Sequence, residues 1–375
     1  MFKFVTLQID HDKLPVWYHE QFSCKLPLPN LPKKKLSGRP IVRGILDGCE
    51  IILVVENALG ERECVFSWKK WKAELLSEIY RELKAPLYTK LPFHYHRVPS
   101  FLREKVAKYF MGGSPENYTL DKFPGFPVEQ GLEVMEFILD ENNERRTPAF
   151  ILTHDIDTYH GQNWIRATAE LEKKHGCTSL WNICGNKYRI ESKQLEWLKD
   201  EGFSIGLHGY NHDTKLIFLS EKEIRHRLDF CLPLIQKYKM KCFRSPSWFR
   251  SERFFLILKD YLSIDFSCLD TDILCPGGNG GCLHVRPFSM GGMRHIPSTI
   301  PFELPLYYGF ALNEILEFWK PKIQWLLAIG GLVVVNTHSD PGFSGNNEML
   351  SVYESLIRYL NEECHLKPYS KAFGE

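Results

Sequence analysis

At 375 residues the chain is long enough for two domains, and 44% hydrophobic with 25% charged residues is the composition of an ordinary globular protein. Lys and Arg number 47 against 46 Asp and Glu, which excludes the overall basic field that would draw nucleic acid or an anionic membrane. The 11 cysteines are odd in number, scattered and free of any Cys-x-x-Cys pair, which argues against a disulfide framework and against a zinc–thiolate site.

The N-terminal "MFKFVTLQIDHDKLP" meets charge within three residues and lacks an apolar core of signal-peptide length. With so many thiols, the expectation is a cytoplasmic protein. Lys33-Lys34-Lys35 lies between prolines and reads as a solvated loop. Ile51 to Val55 and Glu63 to Phe66 read as two strands of a hairpin around "ENALGE". Trp71, Leu75, Ile79 and Leu83 recur at four-residue spacing, predicting a helix over Ser67 to Lys84 that ends before Pro86. A shorter amphipathic helix is expected over Ser100 to Phe110, and a proline-rich approach to a third over Asp121 to Ile138. The polar stretch Asp140 to Thr147, followed by Pro148, marks a boundary. The expected organisation is an N-terminal mixed α/β unit over 1–139 and a second unit over 148–365.

Beyond the boundary, apolar runs alternate with helical patterns: a strand at Ala149 to Thr153, another at Thr178 to Cys184, another at Phe203 to Leu207. A helix follows, opened by a capping box of Ser220 and Glu223. Then come Cys242-Phe243, a helix over Glu252 to Leu262, the buried strand in Gly331 to Thr337 after a Gly330-Gly331 turn, and a helix over Asn347 to Asn361. Such alternation predicts a mostly parallel α/β sheet or barrel. The strongest apolar stretch, Trp325 to Val335, is too short to span a bilayer.

Four of these strands end on chemistry. Asp155-Ile156-Asp157 follows the first, His208-Gly209-Tyr210-Asn211-His212 the third, Arg244 the fourth and His338 the last. Strand ends at one edge of an α/β scaffold are where sites are built. His208 and His212 at i and i+4 can face one ion, and one carboxylate completes a three-donor set with a position left open for water. Asp155 and Asp157, at i and i+2 on an extended segment, point the same way. One can hold the ion while the other serves as a base. The competing reading makes one aspartate a helix cap. His94 and His96 form another i, i+2 pair, without an acidic or cysteine partner nearby. His154 and His160 flank the first motif and are expected at its rim. "CPGGNGGC", Cys275 to Cys282, lacks the lysine and helix context of a phosphate loop and is expected to be a mobile loop near the site.

"LTHDID", "GLHGYNH", "FRSPSW" and "VVVNTH" resemble, in order and spacing, the first, second, third and fifth motifs of the NodB-like polysaccharide deacetylases, carbohydrate esterase family 4. They are most similar to the subgroup found with exopolysaccharide and lipopolysaccharide assembly. The resemblance covers about Pro148 to Asn361. It implies a distorted (β/α)7 barrel and one divalent metal, most often Zn2+. By position it makes Asp155 the catalytic base and Asp157, His208 and His212 the metal ligands. Arg244 becomes the partner of the base and His338 the general acid. Ser247 falls where a backbone N–H helps bind the oxyanion, and Trp248 could offer a sugar-stacking face. Three departures stand out: Ile156 separates the aspartates, Phe266-Ser267-Cys268 replaces the usual fourth motif, and Ser339-Asp340 follows His338. Asp340 could orient the imidazole.

The implied reaction is metal-dependent hydrolysis of the N-acetyl amide of a sugar or glycan, giving the amino sugar and acetate. Two alternatives stay open: hydrolysis of a non-sugar C–N bond, as in allantoinase-like relatives, and a catalytically silent glycan-binding protein. The expected partner is an N-acetylated glycan, with no nucleic acid and no transmembrane segment. Nothing in the sequence sets an oligomeric state.

Overall fold

Two sheets organise the chain, and the one that carries the sequence motifs is parallel where it holds them. The computed structural model describes residues 3–10, 25–28, 36–71, 85, 127–140, 147–270, 282, 284–307, 309–369 and 373. The expected helix over Ser67 to Lys84 is helical over 68–71 and otherwise lies outside the described residues, as do the segment Ser100 to Phe110, His94, His96 and Cys275.

The first sheet is antiparallel, in the order β2-β1-β3-β4-β5, with β1 at Lys3–Ile9, β2 at Lys25–Leu28, β3 at Arg39–Leu46, β4 at Cys49–Glu56 and β5 at Arg62–Cys64. Strands β4 and β5 form the expected hairpin. Strands β1 to β3 had no counterpart in the sequence reading. Short alternating runs such as "KFVTLQI" bury one face and leave the other polar, a weak pattern beside the continuous apolar strands further on. Helix α1, Pro127–Asp140, is recorded in contact with β2 and β5, and Arg62 donates from its guanidinium to the Ile138 carbonyl at 2.7 Å. Apolar side chains of this sheet and of α1 run into one cluster with Phe318, Trp319 and Leu356 of the following unit.

The second sheet has the order β11-β12-β10-β9-β8-β7-β6-β14-β13. Its strands are β6 (Ala149–Ile156), β7 (Ser179–Ile183), β8 (Ser204–Leu207), β9 (Cys242–Phe243), β10 (Ile264–Asp265), β11 (Phe288–Met290), β12 (Met293–His295), β13 (Ile300–Pro301) and β14 (Leu332–His338). Every pair is parallel except β11 with β12. Among the described residues the ladder does not close between β11 and β13.

Among the described residues, besides the single α-helical turn Leu304–Tyr307, five helices alternate with these strands: α2 (Ile165–Lys174), α3 (Ser192–Asp200), α4 (Glu221–Tyr238), α5 (Glu252–Leu258) and α6 (Ile315–Ala328). After β14 comes α7 (Asn347–Arg358), which passes into a π-turn over Tyr359–Glu363. Helix α4 opens on the capping box as expected: the Ser220 hydroxyl accepts from the Glu223 N–H, and the Glu223 carboxylate accepts from the Ser220 N–H.

Burial sorts the strand residues by face. Ala149, Ile151, Leu180, Cys242, Ile264, Phe266, Ile296, Leu332 and Val334 form one apolar cluster, with Tyr369 and Phe373 packed against it. After α7 the chain returns to the start of β6, where the Tyr369 N–H donates to the Phe150 carbonyl and the Phe150 N–H to that of Lys367. This side of the sheet is thus stoppered at the amino ends of the strands and carries its polar groups at their carboxyl ends. The opposite side packs Trp181, Ile183, Leu207 and Phe243 against α2 to α5.

Leu180→Ala should destabilise the chain by about 2–5 kcal/mol, because Leu180 is wholly buried in a central strand. Ser220→Ala should cost about 1 kcal/mol, the worth of an N-cap. Urea unfolding followed by circular dichroism measures both. Equal losses would contradict the assigned burial.

Candidate active site

Register builds the site before any side chain is considered. Parallel pairing sets His338 of β14 beside Asp155 of β6, and Asp155 beside Asn182 of β7. Leu207 of β8 pairs with both Ile183 and Phe243, so the next residues along, His208 and Arg244, emerge at the same edge. Five strand ends therefore deliver five polar side chains to one rim.

Asp157, just past β6, places Oδ1 3.2 Å from His208 Nε2 and 3.0 Å from His212 Nε2. All three residues are buried, and their donor atoms lie within 4.8 Å of one another. Despite those short distances Asp157 Oδ1 has no hydrogen bond of acceptable geometry. The contacts are close but misaligned for N–H···O, as expected of lone pairs that share an ion. His208 Nδ1–H donates to the Arg244 carbonyl at 2.9 Å, which leaves the Nε2 lone pair directed at the site. His212 sits at φ 56°, in the left-handed region, where the loop turns its ring back toward His208 at a centroid distance of 5.0 Å. Burial pushes the His212 imidazole down, toward the neutral form that ligates, against the pull of Asp157. One oxygen and two nitrogens suit a zinc-like ion with an open position.

Asp155 accepts from the Asn182 amide at 2.9 Å and from Arg244 Nη1 at 3.1 Å, both at Oδ1. Its Oδ2 is left facing His208 Nε2 at 4.0 Å and His338 Nε2 at 3.9 Å. Burial would raise this carboxyl, but Arg244, with His208 and His338, holds it below the usual carboxylate range. Arg244 is itself fully buried and saturated. Nη1 also donates to Asn336 Oδ1, Nη2 to Thr153 Oγ1 at 2.8 Å and Ser298 Oγ at 3.3 Å, and Nε to the Phe266 carbonyl at 3.2 Å.

His338 is oriented by Glu303, a residue that the sequence reading did not single out. The His338 N–H donates to Glu303 Oε1 at 2.6 Å, and Nδ1 lies 3.3 Å from Oε2. Burial alone would lower this imidazole; Glu303, with Asp157 and Asp155, lifts it to about 10. Asp340 does not have the expected task of orienting His338. It accepts from the Asp157 N–H at 2.8 Å and from the Thr158 hydroxyl, and so fixes the turn after β6. Burial and the nearby Asp157 push Asp340 up to about 6.

His154 is another correction. It is buried, not at the rim: alternation along β6 turns it to the opposite side from Asp155, where it meets Glu172 at 2.7 Å and Thr337 at 2.6 Å and stacks on Trp181. His160 is exposed. Ser247 and Trp248 follow Arg244 in a turn with φ of 58° and 52°, Ser247 exposed and Trp248 half-buried. The shallow hollow beside His212 is lined by Tyr210, Asp213, Ser245 and Pro246. Asn182 also escaped the sequence reading, although a lone asparagine inside "SLWNI" was a visible signal. Its partner is Gly206 on β8, where a Cβ would collide with the Asn182 side-chain oxygen.

No family model matches the chain. A peptidoglycan deacetylase of Helicobacter pylori (strain ATCC 700392 / 26695) is 19% identical over 237 residues, covering 54% of this chain and 80% of that protein. Among solved structures, a polysaccharide deacetylase candidate from Mycobacterium smegmatis aligns with TM-score 0.49 at 13% identity, over 59% of this chain and 86% of that one. A family 4 carbohydrate esterase from Streptomyces lividans in complex with acetate aligns with TM-score 0.39 at 12% identity, over 57% and 89%.

Replacing Arg244 with Met should leave Asp155 as an uncompensated buried charge. The expected result is a loss of about 3–5 kcal/mol in stability and a rise in the Asp155 pKa, checked by denaturation at several pH values. Unchanged stability at neutral pH would mean that the pair is not formed.

Proposed function

We propose that the chain is a metal-dependent carbohydrate N-deacetylase of the NodB-like type, from the exopolysaccharide and lipopolysaccharide subgroup. It hydrolyses the N-acetyl amide of a sugar or glycan to the amine and acetate. The curled parallel sheet is then the distorted (β/α)7 barrel of that family, with residues 1–139 an accessory unit that supplies no metal ligand. The observation that carries the reading is geometric: a carboxylate and an imidazole meet at one point beside a three-donor cluster. Asp155 Oδ2 and His338 Nε2 face each other across 3.9 Å, beside the three donors of Asp157, His208 and His212; Arg244 favours the ionised carboxylate and Glu303 the protonated imidazole. Both pushes are toward the forms that a base and an acid need in amide hydrolysis. The named relative, a peptidoglycan deacetylase, supports the substrate class.

Asp157, His208 and His212 would hold the ion, most simply Zn2+. A bound dication supplies Lewis-acid polarisation of the attacking water and of the amide carbonyl. Asp155 Oδ2, free of the Arg244 and Asn182 contacts at Oδ1, takes the proton of that water. Arg244 keeps the carboxylate ionised and turned to the rim. His338 Nε2 gives its proton to the departing nitrogen, while Glu303 at Nδ1 stabilises the imidazolium until that moment. In this reading the Ser247 N–H helps hold the oxyanion, and Trp248 offers a face to the sugar. The intact Asp155–Arg244–His338 set favours an enzyme over a silent glycan-binding protein. Among the described residues no helix is long and apolar enough to cross a membrane.

Metal content and acetate release, measured on the same preparations with a panel of N-acetylated glycans, test the assignment. His208→Ala and His212→Ala should lose metal and activity together. Asp155→Asn should keep the metal and lose about 10²-fold or more in turnover, the share of a positioned general base. If wild type with metal bound releases no acetate from any glycan, the deacetylase reading fails. If Asp155→Asn is as fast as wild type, the assigned base is wrong.

The pH profile follows from the two shifts. Activity needs Asp155 deprotonated, so it is lost as pH falls through a value below the ordinary carboxylate range. It needs His338 protonated, so it is lost as pH rises toward about 10, or sooner when a dication sits beside the ring. Glu303→Gln removes the main charge that lifts His338 and should move the alkaline limb of kcat/KM to lower pH, with the acid limb unmoved. An alkaline limb that stays in place would exclude His338 as the acid tuned by Glu303.

A further inference from the structure

The segment that departs from the family's fourth motif holds a second cluster of donor side chains. Asp265 ends β10, His295 ends β12, and the parallel register sets the two side by side. Cys268 lies three residues past Asp265. Asp265 Oδ2 is 3.0 Å from His295 Nδ1 and 3.5 Å from Cys268 Sγ, and Sγ is 3.7 Å from Nδ1. All three residues are buried. The neighbours Ile264 and Phe266 join the cluster that the C-terminal tail stoppers, so Asp265 faces the other side, where Phe255 of α5 packs edge-on against the His295 ring at 4.5 Å. The cluster is therefore separate from the Asp157 site and shares no residue with it.

We infer that Asp265, Cys268 and His295 form a second metal site, suited to Zn2+ with water in the fourth position. A point equidistant from the three donor atoms lies about 2.0 Å from each, against zinc bonds of about 2.0–2.3 Å to nitrogen, oxygen and sulfur. The other half of each polar ligand is anchored, as metal ligands usually are. His295 Nε2 is 3.0 Å from the Met290 carbonyl, which holds its proton and presents Nδ1 as the lone-pair donor. The Ser267 hydroxyl donates to Asp265 Oδ1 at 2.5 Å and leaves Oδ2 toward the other two donors. Ser267 in turn accepts the Ser245 N–H at 2.8 Å, so the site braces the turn that follows Arg244. Thiolate, imidazole and carboxylate together favour zinc over the hard cations magnesium and calcium. The ion replaces the thiol proton and the ring proton shared with Asp265, so a dication with two anionic ligands leaves the buried cluster neutral. This runs against the expectation, drawn from cysteine spacing, of no zinc–thiolate site: one cysteine joined by a histidine and an aspartate from distant positions leaves no such spacing to read.

Protein expressed with cobalt or zinc and dialysed against metal-free buffer decides the matter. Wild type should retain two metal ions per chain, with sulfur in the first shell of one. The sulfur ligand appears as a thiolate-to-cobalt charge-transfer band and in the zinc X-ray absorption spectrum. His212→Ala should retain one ion and the full sulfur signal. Cys268→Ser should retain one ion, lose the sulfur signal and melt at lower temperature. A wild-type chain with no sulfur-ligated metal, or a sulfur signal that survives in Cys268→Ser, overturns the inference and leaves a hydrogen-bonded triad. If Cys268→Ser does not fold, His212→Ala decides by itself: one sulfur-ligated ion supports the second site and none refutes it. A wild type with a single, sulfur-ligated ion, unchanged by His212→Ala, would sink the Asp157 site while sustaining this one.

Discussion

The buried pair of Arg244 and Asp155 is the constraint around which the rest of the second unit is arranged. A fully buried guanidinium is tolerable when its charge is matched and its donors are used. Here Arg244 reaches groups from four strand ends and connections: Asp155 and Thr153 on β6, Asn336 on β14, Ser298 before β13 and the Phe266 carbonyl after β10. No single strand could satisfy it. The sheet has to curl far enough to bring β14 and the end of β10 within reach of one side chain just past β9. The polar layer above the apolar cluster thus fixes the curvature, and the curvature fixes the site.

From that pair the chemistry divides by oxygen atom. Oδ1 of Asp155 is committed to structure, through Arg244 and Asn182, while Oδ2 faces the two histidines. The same division recurs across the rim. His208 spends Nδ1 on the Arg244 carbonyl and offers Nε2, and His338 turns Nδ1 to Glu303 and Nε2 to the centre. Each group is held by one end and works with the other, which limits the rotamers that must be ordered when substrate arrives.

The sequence disclosed the parts of this arrangement that depend on local order. Continuous apolar runs ending in Asp, His, Arg and His are a one-dimensional signal, and register turns them into adjacent strand ends with no further information. Helix α4 was legible down to its capping box because Ser220 and Glu223 interact within one turn. What stayed hidden was long-range. Glu303 reaches His338 across 35 residues of chain, and nothing in "IPFELPLY" distinguishes a carboxylate aimed at an imidazole from one in a loop. Asp340, two residues from His338, was the natural guess by proximity, yet it bonds the turn after β6, on the far side of 183 residues. His154 was misplaced for the opposite reason. Alternation along β6 alone puts it on the other side from Asp155, and the reading by nearness to the motif overrode that simple rule.

The two donor clusters also show how one sheet can hold polar groups on both sides without conflict. Asp157, His208 and His212 gather at the rim, where an ion with an open position can meet water. Asp265, Cys268 and His295 lie beneath α5, where donors fixed by Ser267 and Met290 can close only around something small. Consecutive residues link them: Arg244 lends its carbonyl to His208, and Ser245 donates its N–H to Ser267. A disturbance at Cys268 should therefore be felt first in the Arg244 turn, and through it in the aim of His208. Of the three rim donors, His208 is the one whose orientation rests on that turn's backbone. Asp157 is held instead through its backbone N–H by Asp340, just past the neighbouring strand β14, so the donors are braced through different elements.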